Sequence, residues 1–113
     1  MTAGMTNAER KQIYRRDGFR CALCDSTEGL QLHHYIPRGK GGKDCPMNMI
    51  TLCWRCHAAA HGSIVHDFYM MDITAENVRQ AHQQCIDEME LQCCQYLSDY
   101  YAERGQIWCP WEG

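Results

Sequence analysis

Long apolar runs are what this 113-residue sequence lacks most clearly. No stretch approaches the roughly 20 apolar residues that are needed to span a bilayer, so we expect no membrane partner. Residues 1–5 also lack the basic flank and the apolar run of a secretory signal. From these absences we expect a cytoplasmic protein.

Residues 1–62 contain few large apolar side chains, although the length of the chain suits a single domain. A hydrophobic core built from that half would be small, so we expect cross-links or bound metal to stabilise its fold. The nine cysteines are the candidates. In a reducing compartment cysteine pairs bind metal more often than they form disulfides, and an odd count also argues against a complete disulfide framework.

Acidic residues are scarce in the first part of the chain and basic residues in the second. Residues 1–62 hold nine Lys and Arg against five Asp and Glu, a net charge of +4. Residues 63–113 hold two against nine, which gives −7 and leaves −3 for the whole chain. A basic segment suits a polyanion, and an acidic segment repels one. The candidate phosphate contacts are Arg15, Arg16, Arg20, Arg38, Lys40 and Lys43, with a solvated charged face as the alternative for those on a helix.

Two helices are predicted outside the central region. Residues 6–16 have Thr6 as a candidate N-cap and Glu9 three positions later, the pattern of a capping box. Residues 74–104 carry apolar side chains mostly at three- and four-residue steps, which predicts a long amphipathic helix. Two alternatives are open for this acidic helix. It folds back on the rest of the chain, or it pairs two copies as a homodimer.

The central region predicts two strands and a short helix. Apolar residues alternate within residues 29–36, and residues 48–52 form a second strand or turn. Proline and glycines between residues 37 and 42 predict a mobile polar loop. The alanine run at residues 58–60 favours a helix with Gly62 at its C-terminal cap.

Two Cys-x-x-Cys pairs are the strongest local signal. Two residues between thiolates let both sulfurs face one ion at about 2.3 Å, and two such pairs complete a closed tetrahedral site for structural zinc. The ligands are Cys21, Cys24, Cys53 and Cys56. The remaining five, Cys45, Cys85, Cys93, Cys94 and Cys109, are predicted to be free thiols, with only weak support for a second site at the last three.

Four histidines predict a second, reactive site. His57 and His61 share one face of a helix, so both can reach a single ion. His33 and His34 are neighbours on a strand and point to opposite faces. One of these two should therefore face the ion and the other the substrate, as a one-metal hydrolase requires.

The region from residue 10 to residue 62 resembles an HNH (ββα-metal) endonuclease domain of the zinc-bearing kind. Such domains recur in phage proteins, homing nucleases, restriction enzymes and bacterial DNase toxins. The matching elements are Cys21-x2-Cys24, His33-His34-x2-Pro37-Arg38-x-Lys40-Gly41-Gly42, and Asn48-x3-Leu52-Cys53-x2-Cys56-His57-x3-His61-Gly62.

The resemblance implies a role for each matching residue. His34 is the general base, Asn48 braces the loop that carries it, and Arg38 flanks the base. The implied activity is cleavage of DNA that leaves 5′-phosphate and 3′-hydroxyl ends, with the ion on the scissile phosphate. The implied catalytic metal is Mg²⁺, Mn²⁺, Ni²⁺ or Zn²⁺, and an all-histidine site accepts the softer ions Zn²⁺, Ni²⁺ and Mn²⁺ more readily than an oxygen-rich site does. Its implied ligands are His33, His57 and His61.

The predicted fold is α+β, an HNH core stapled by a four-cysteine zinc site between an N-terminal helix and a long C-terminal helix. Residues 1–66 form the nuclease domain, and residues 67–113 form an acidic helical extension. The predicted function is that of a metal-dependent endonuclease acting on DNA. The alternative is a zinc module without catalytic activity that binds nucleic acid or protein.

Overall fold

A computed structural model describes residues 5–64 and 74–111 of the chain. Within these ranges lie three α-helices and one two-stranded sheet, which confirms the predicted α+β class. The predicted boundary after residue 66 falls outside the described residues. The elements in chain order are α1 (Asn7–Arg16), β1 (Gln31–His34), β2 (Met49–Leu52), α2 (Trp54–Ala60) and α3 (Val78–Ala102).

Helix α1 begins at the predicted capping box. The backbone N–H of Glu9 donates to the hydroxyl of Thr6 at 3.1 Å, and the Glu9 carboxylate accepts from the Thr6 backbone N–H at 3.4 Å. Each residue thereby satisfies a donor that the first helical turn leaves free. One residue of the helix is buried, Ile13, and it packs with Leu32 and Met49 of the sheet.

Strands β1 and β2 form an antiparallel hairpin in which His33 pairs with Ile50 and His34 with Met49. Strand β1 is shorter than the predicted range of residues 29–36. After His34 the strand pairing ends, and the next two backbone N–H groups donate to Asn48. The N–H of residue 35 bonds to the Asn48 backbone carbonyl, and the N–H of residue 36 bonds to its side-chain oxygen. All four residues of β2 are buried.

Helix α3 folds back on the hairpin and α2. Its buried face joins Ile50, Leu52 and Ala59 in one core cluster. The apolar face on which pairing of two copies would depend is therefore covered by the protein's own chain. Tyr100, one of the apolar positions of the predicted helix pattern, packs partly buried against this cluster, and the neighbouring Tyr101 is buried within it. The buried residues of α3 are Ala81, Cys85, Met89, Cys93, Leu97 and Tyr101.

A buried polar network ties α1, β2 and α3 together. The carboxylate of Asp17 accepts from the Thr51 backbone N–H and from the Tyr96 hydroxyl, each at 2.9 Å. Arg16 pairs with the same carboxylate and donates to the Met49 carbonyl at 2.6 Å. Its side chain is 7% exposed, so Arg16 is unavailable for the phosphate contact predicted from its charge.

No helix among the described residues is long and apolar enough to cross a membrane. Helix α3 is the longest at 25 residues, and acidic residues such as Asp87, Glu88 and Glu90 interrupt its sequence.

Candidate functional site

The four predicted zinc ligands form one cluster, the cysteine cluster (Cys21, Cys24, Cys53 and Cys56). The first pair lies in the turn after α1, where the backbone N–H of Asp25 donates to the carbonyl of Cys21 at 3.0 Å. Cys53 is the N-cap of α2, and Cys56 lies in its first turn. Their sulfur atoms all lie within 4.8 Å of one another.

The spacing and chemistry of the cysteine cluster fit a structural zinc ion. Four sulfurs at about 2.3 Å from a tetrahedral ion are about 3.8 Å apart, and the Sγ atom of Cys24 lies 3.6 Å from that of Cys53 and 3.7 Å from that of Cys56. Hydrogen bonding from Cys56 lowers the pKa of Cys21 to about 4, and the same bond raises the pKa of Cys56. Without a metal, ionisation of the Cys21 thiol makes ionisation of the neighbouring Cys56 thiol less favourable. A bound dication would allow all four thiols to ionise together.

No disulfide joins any of the other five cysteines, all of which lie in the described part of the chain. Cys45, Cys85 and Cys93 are buried, whereas Cys94 and Cys109 are partly exposed. Among the residues that the structure describes, no group of metal-ligand spacing includes any of them. The weakly supported second site at the last three cysteines is therefore absent from this part of the chain.

A second group of ligand type is the histidine cluster (His33, His57 and His61), contributed by β1 and by α2 with its C-cap. One nitrogen from each ring lies within 4.8 Å of the other two. The ring centroids are 4.6 to 5.3 Å apart, with the rings edge to face. His33 is placed by strand β1, and His57 and His61 are one helical turn apart at the end of α2. The three imidazole rings therefore lie close enough together to bind one ion.

Gln31 orients the ring of His57. The Nδ1 of His57 donates to the side-chain oxygen of Gln31, so the lone pair of this ring is on Nε2. That Nε2 lies 3.1 Å from the Nε2 of His61, close to the roughly 3.3 Å expected for two imidazole ligands at about 2.0 Å from a tetrahedral ion. Fixing a ligand histidine through its second nitrogen is common in metal sites.

The histidine cluster is chemically suited to a divalent metal ion. Burial, reinforced by His57, His61 and His34, lowers the pKa of His33 to about 3, and burial also lowers the pKa of His57. Both rings are therefore neutral near pH 7 and keep a lone pair for a metal. In the described part of the chain no group bonds to the buried Nδ1 of His33, and a ligand would satisfy this atom.

Asn48 fastens the loop between the two strands. Its buried side chain accepts from the Ile36 backbone N–H at 2.7 Å and donates to the carbonyls of Ile36 and Lys43 at 3.0 and 2.9 Å. The loop, which the sequence predicts to be mobile, contains a short 3₁₀ turn at Arg38–Lys40. The hydrogen bonds of Asn48 attach the loop backbone to the hairpin on both sides of this turn.

Gly42 permits this close approach of the loop backbone. A Cβ atom there would lie 1.7 Å from the Ile36 carbonyl oxygen. We expect Gly42→Ala to lower the free energy of unfolding by about 1–3 kcal/mol, the usual range for overpacking, as measured by urea denaturation. Gly39→Ala is the matched control, because a Cβ at residue 39 meets no atom within 4 Å. Equal stabilities of the two variants would contradict this account of the loop.

The ring of His34 bonds to a carboxylate. Its Nε2 lies 2.6 Å from Oδ1 of Asp44, and the guanidinium of Arg38 bonds to both oxygens of the same carboxylate. These bonds lower the pKa of Asp44. Arg38 is thus engaged by Asp44, although its side chain is 64% exposed.

A cavity of about 290 Å³ brings the histidines together with α3. His33, His34 and His61 line one side of it and Lys40 contributes a positive charge. Ile86, Glu90 and Cys93 of α3 complete the wall. The adjacent strand residues His33 and His34 therefore both reach the space in which a substrate would meet an ion.

Sequence reasoning missed two polar residues of this site, Gln31 and Asp44. Gln31 has a local signal, because it stands two residues before His33 and shares its face of the strand. Asp44 has none, since it lies ten residues from His34 and only the folded loop brings them together.

Comparison with known proteins identifies the family. The model of the HNH endonuclease family matches residues 21–63, the segment that carries both clusters. A protein named anaredoxin, from Nostoc sp. (strain PCC 7120), is 34% identical over 53 residues, which cover 46% of this chain and 70% of the relative. No solved structure matches the chain significantly. The chain belongs to the HNH endonuclease family.

Proposed function

We propose that this protein is a metal-dependent endonuclease that hydrolyses phosphodiester bonds in DNA. One observation carries the proposal, namely the cavity that His34 shares with His33 and His61 of the histidine cluster. A closed structural zinc site needs no open coordination position and no additional histidine beside it. A hydrolytic site needs both, because charge stabilisation and proton removal are separate tasks.

In the proposed mechanism His34 removes a proton from a water molecule in the cavity. His33, His57 and His61 would hold a divalent ion, which would supply Lewis-acid stabilisation of the negative charge that develops during cleavage. The water oxygen forms a bond to phosphorus as the bond to the 3′ oxygen breaks, and the leaving oxygen takes a proton from solvent. Asn48 holds the loop backbone in place, so that the base keeps its position without rearrangement.

Exposed basic residues in the N-terminal part of the chain, one of them at the cavity, support DNA as the substrate. Lys40 lines the cavity, and Lys43 follows it on the same loop. Arg15 at the end of α1 and Arg20 in the turn after it are also exposed. Such residues position a phosphate backbone without reading its sequence, so we propose low intrinsic sequence specificity.

A plasmid-nicking assay tests the proposal. We expect the purified protein to convert supercoiled plasmid to nicked or linear forms with Mg²⁺, Mn²⁺, Ni²⁺ or Zn²⁺, and EDTA to stop the reaction. His61→Ala removes a ligand at the exposed end of α2 without touching the cysteine cluster. Loss of an outer-shell partner already weakens metal binding about 10- to 100-fold, so this variant should require at least about 10-fold more metal.

Two controls make the assay decisive. Elemental analysis must show that His61→Ala keeps its zinc, so that a loss of cleavage is not caused by unfolding. Cleavage by the wild type that persists unchanged in His61→Ala would indicate a contaminating nuclease. A wild type that binds DNA and zinc but does not cleave with any of the four metals would favour a zinc module without catalytic activity.

A further inference from the structure

Asp44 stands between His34 and Arg38 in a partly enclosed position. The side chains of His34 and Asp44 are only 21% and 20% exposed. Arg38 contributes its Nε to Oδ1 at 3.0 Å and its Nη2 to Oδ2. The carboxylate therefore receives a forked bond on one side and the imidazole on the other.

We propose that Asp44 is a positioning residue for His34, and that Arg38 acts through Asp44 rather than on a phosphate. The inference rests on the proposed function, because it assigns roles to two residues that act on the base. It changes the role of Arg38, which the resemblance placed beside the base and which its charge made a candidate phosphate contact.

The chemistry of the acceptor fixes the state of the imidazole. An ionised carboxylate only accepts hydrogen bonds, so the Nε2 of His34 must hold the proton in its bond to Asp44. The lone pair is then on Nδ1, the nitrogen available to take a proton from water. A carboxylate that holds a histidine base in one tautomer and one ring orientation serves the same purpose in the serine protease triad.

The loop fixes the carboxylate in turn. Asn48 donates to the carbonyl of Lys43, the residue before Asp44, so the backbone at this point is held from the core. The planar fork of Arg38 then restricts rotation of the carboxylate, because guanidinium and carboxylate match in a bidentate pair. A guanidinium with its Nε and Nη2 committed to Asp44 has fewer donors free for a phosphate.

The first test replaces the carboxylate. We expect Asp44→Asn to lower kcat by about 10- to 100-fold, with KM within about twofold of wild type. This loss does not exceed the lower end of the range for removal of a general base, about 100-fold. Asp99→Asn is the control, since Asp99 is an exposed residue of α3 whose carboxylate accepts from the Gln95 side chain at 2.9 Å and does not line the cavity. Melting temperature and zinc content should be unchanged in both variants.

A spectroscopic measurement separates positioning from a general structural role. In ¹⁵N-labelled protein, the imidazole of His34, assigned by its loss in His34→Ala, should show a protonated Nε2 in the wild type. In Asp44→Asn we expect a mixture of tautomers. An unchanged tautomer and an unchanged kcat would overturn the assignment of Asp44 while leaving the proposed nuclease intact. A wild type without cleavage would overturn both.

The second test concerns Arg38. We expect Arg38→Gln to lower kcat by about 3- to 10-fold, and to leave the salt dependence of DNA binding unchanged. Loss of a phosphate contact would instead weaken binding and reduce the slope of log K against log salt by about one. That second result, with kcat unchanged, would return Arg38 to the role of a phosphate contact.

Discussion

Replacing Cys53 by serine is expected to release the structural zinc and to unfold much of residues 10–62. Cys53 is both a member of the cysteine cluster and the N-cap of α2. Metal binding in such a site is part of the folding free energy, and few large apolar residues in this half of the chain compensate for its loss. Cys21→Ser should act in the same way, because Cys21 is fully buried in the core cluster.

Elemental analysis and thermal unfolding followed by circular dichroism measure this effect. We expect less than one zinc per chain and loss of the cooperative transition in both variants. Cys94→Ser is the matched control, because Cys94 is partly exposed and is outside the cysteine cluster. Unchanged zinc content together with a normal melting temperature in Cys53→Ser would refute the structural-zinc assignment.

Replacing His34 by alanine is expected to reduce turnover by at least about 100-fold, the lower end for a lost general base. The zinc content should not change, because His34 is not a member of either metal-ligand cluster. Binding of metal to the histidine cluster and binding of DNA should also persist. The loss should therefore appear in kcat, since a proton transfer contributes in the transition state.

Single-turnover cleavage of a labelled duplex, with protein in excess, measures the chemical step. His82→Ala serves as the control, since His82 belongs to α3 and donates to the carbonyl of Gly62 at 2.6 Å rather than to the proposed machinery. Cleavage by His34→Ala at the wild-type rate would show that another group removes the proton.

Local sequence signals predicted the parts of this fold that depend on residues a few positions apart. The capping box of Thr6 and Glu9, the two Cys-x-x-Cys turns and the His57–His61 pair each involve spacings of three or four residues. At such spacings backbone geometry alone determines which side chains meet. The predicted four-cysteine cluster and two-stranded core followed from these signals and from the family resemblance.

Interactions between distant residues were not predictable in the same way. Arg16 contacts Tyr101, 85 residues away, at 3.2 Å, and nothing local distinguishes it from the exposed Arg15 beside it. The deeper burial of Tyr101 than of its partly buried neighbour Tyr100 depends on how α3 is rotated against the hairpin. The bond between Asp44 and His34 depends on a loop that Asn48 and Gly42 shape, and periodicity contains no information on that shape.

The shared core has a consequence for the order in which the protein is made. Ile50 and Leu52 of the HNH segment are buried against Met89 and Leu97 of α3. Ribosomes add about 5–20 residues per second from the N-terminus, so every metal ligand emerges before the helix that closes the core. Ile86 and Glu90, which wall the cavity, also follow the histidines. A nascent chain therefore carries both sets of metal ligands while its cleft is still open on one side, and the finished cleft forms only after α3 has been synthesised.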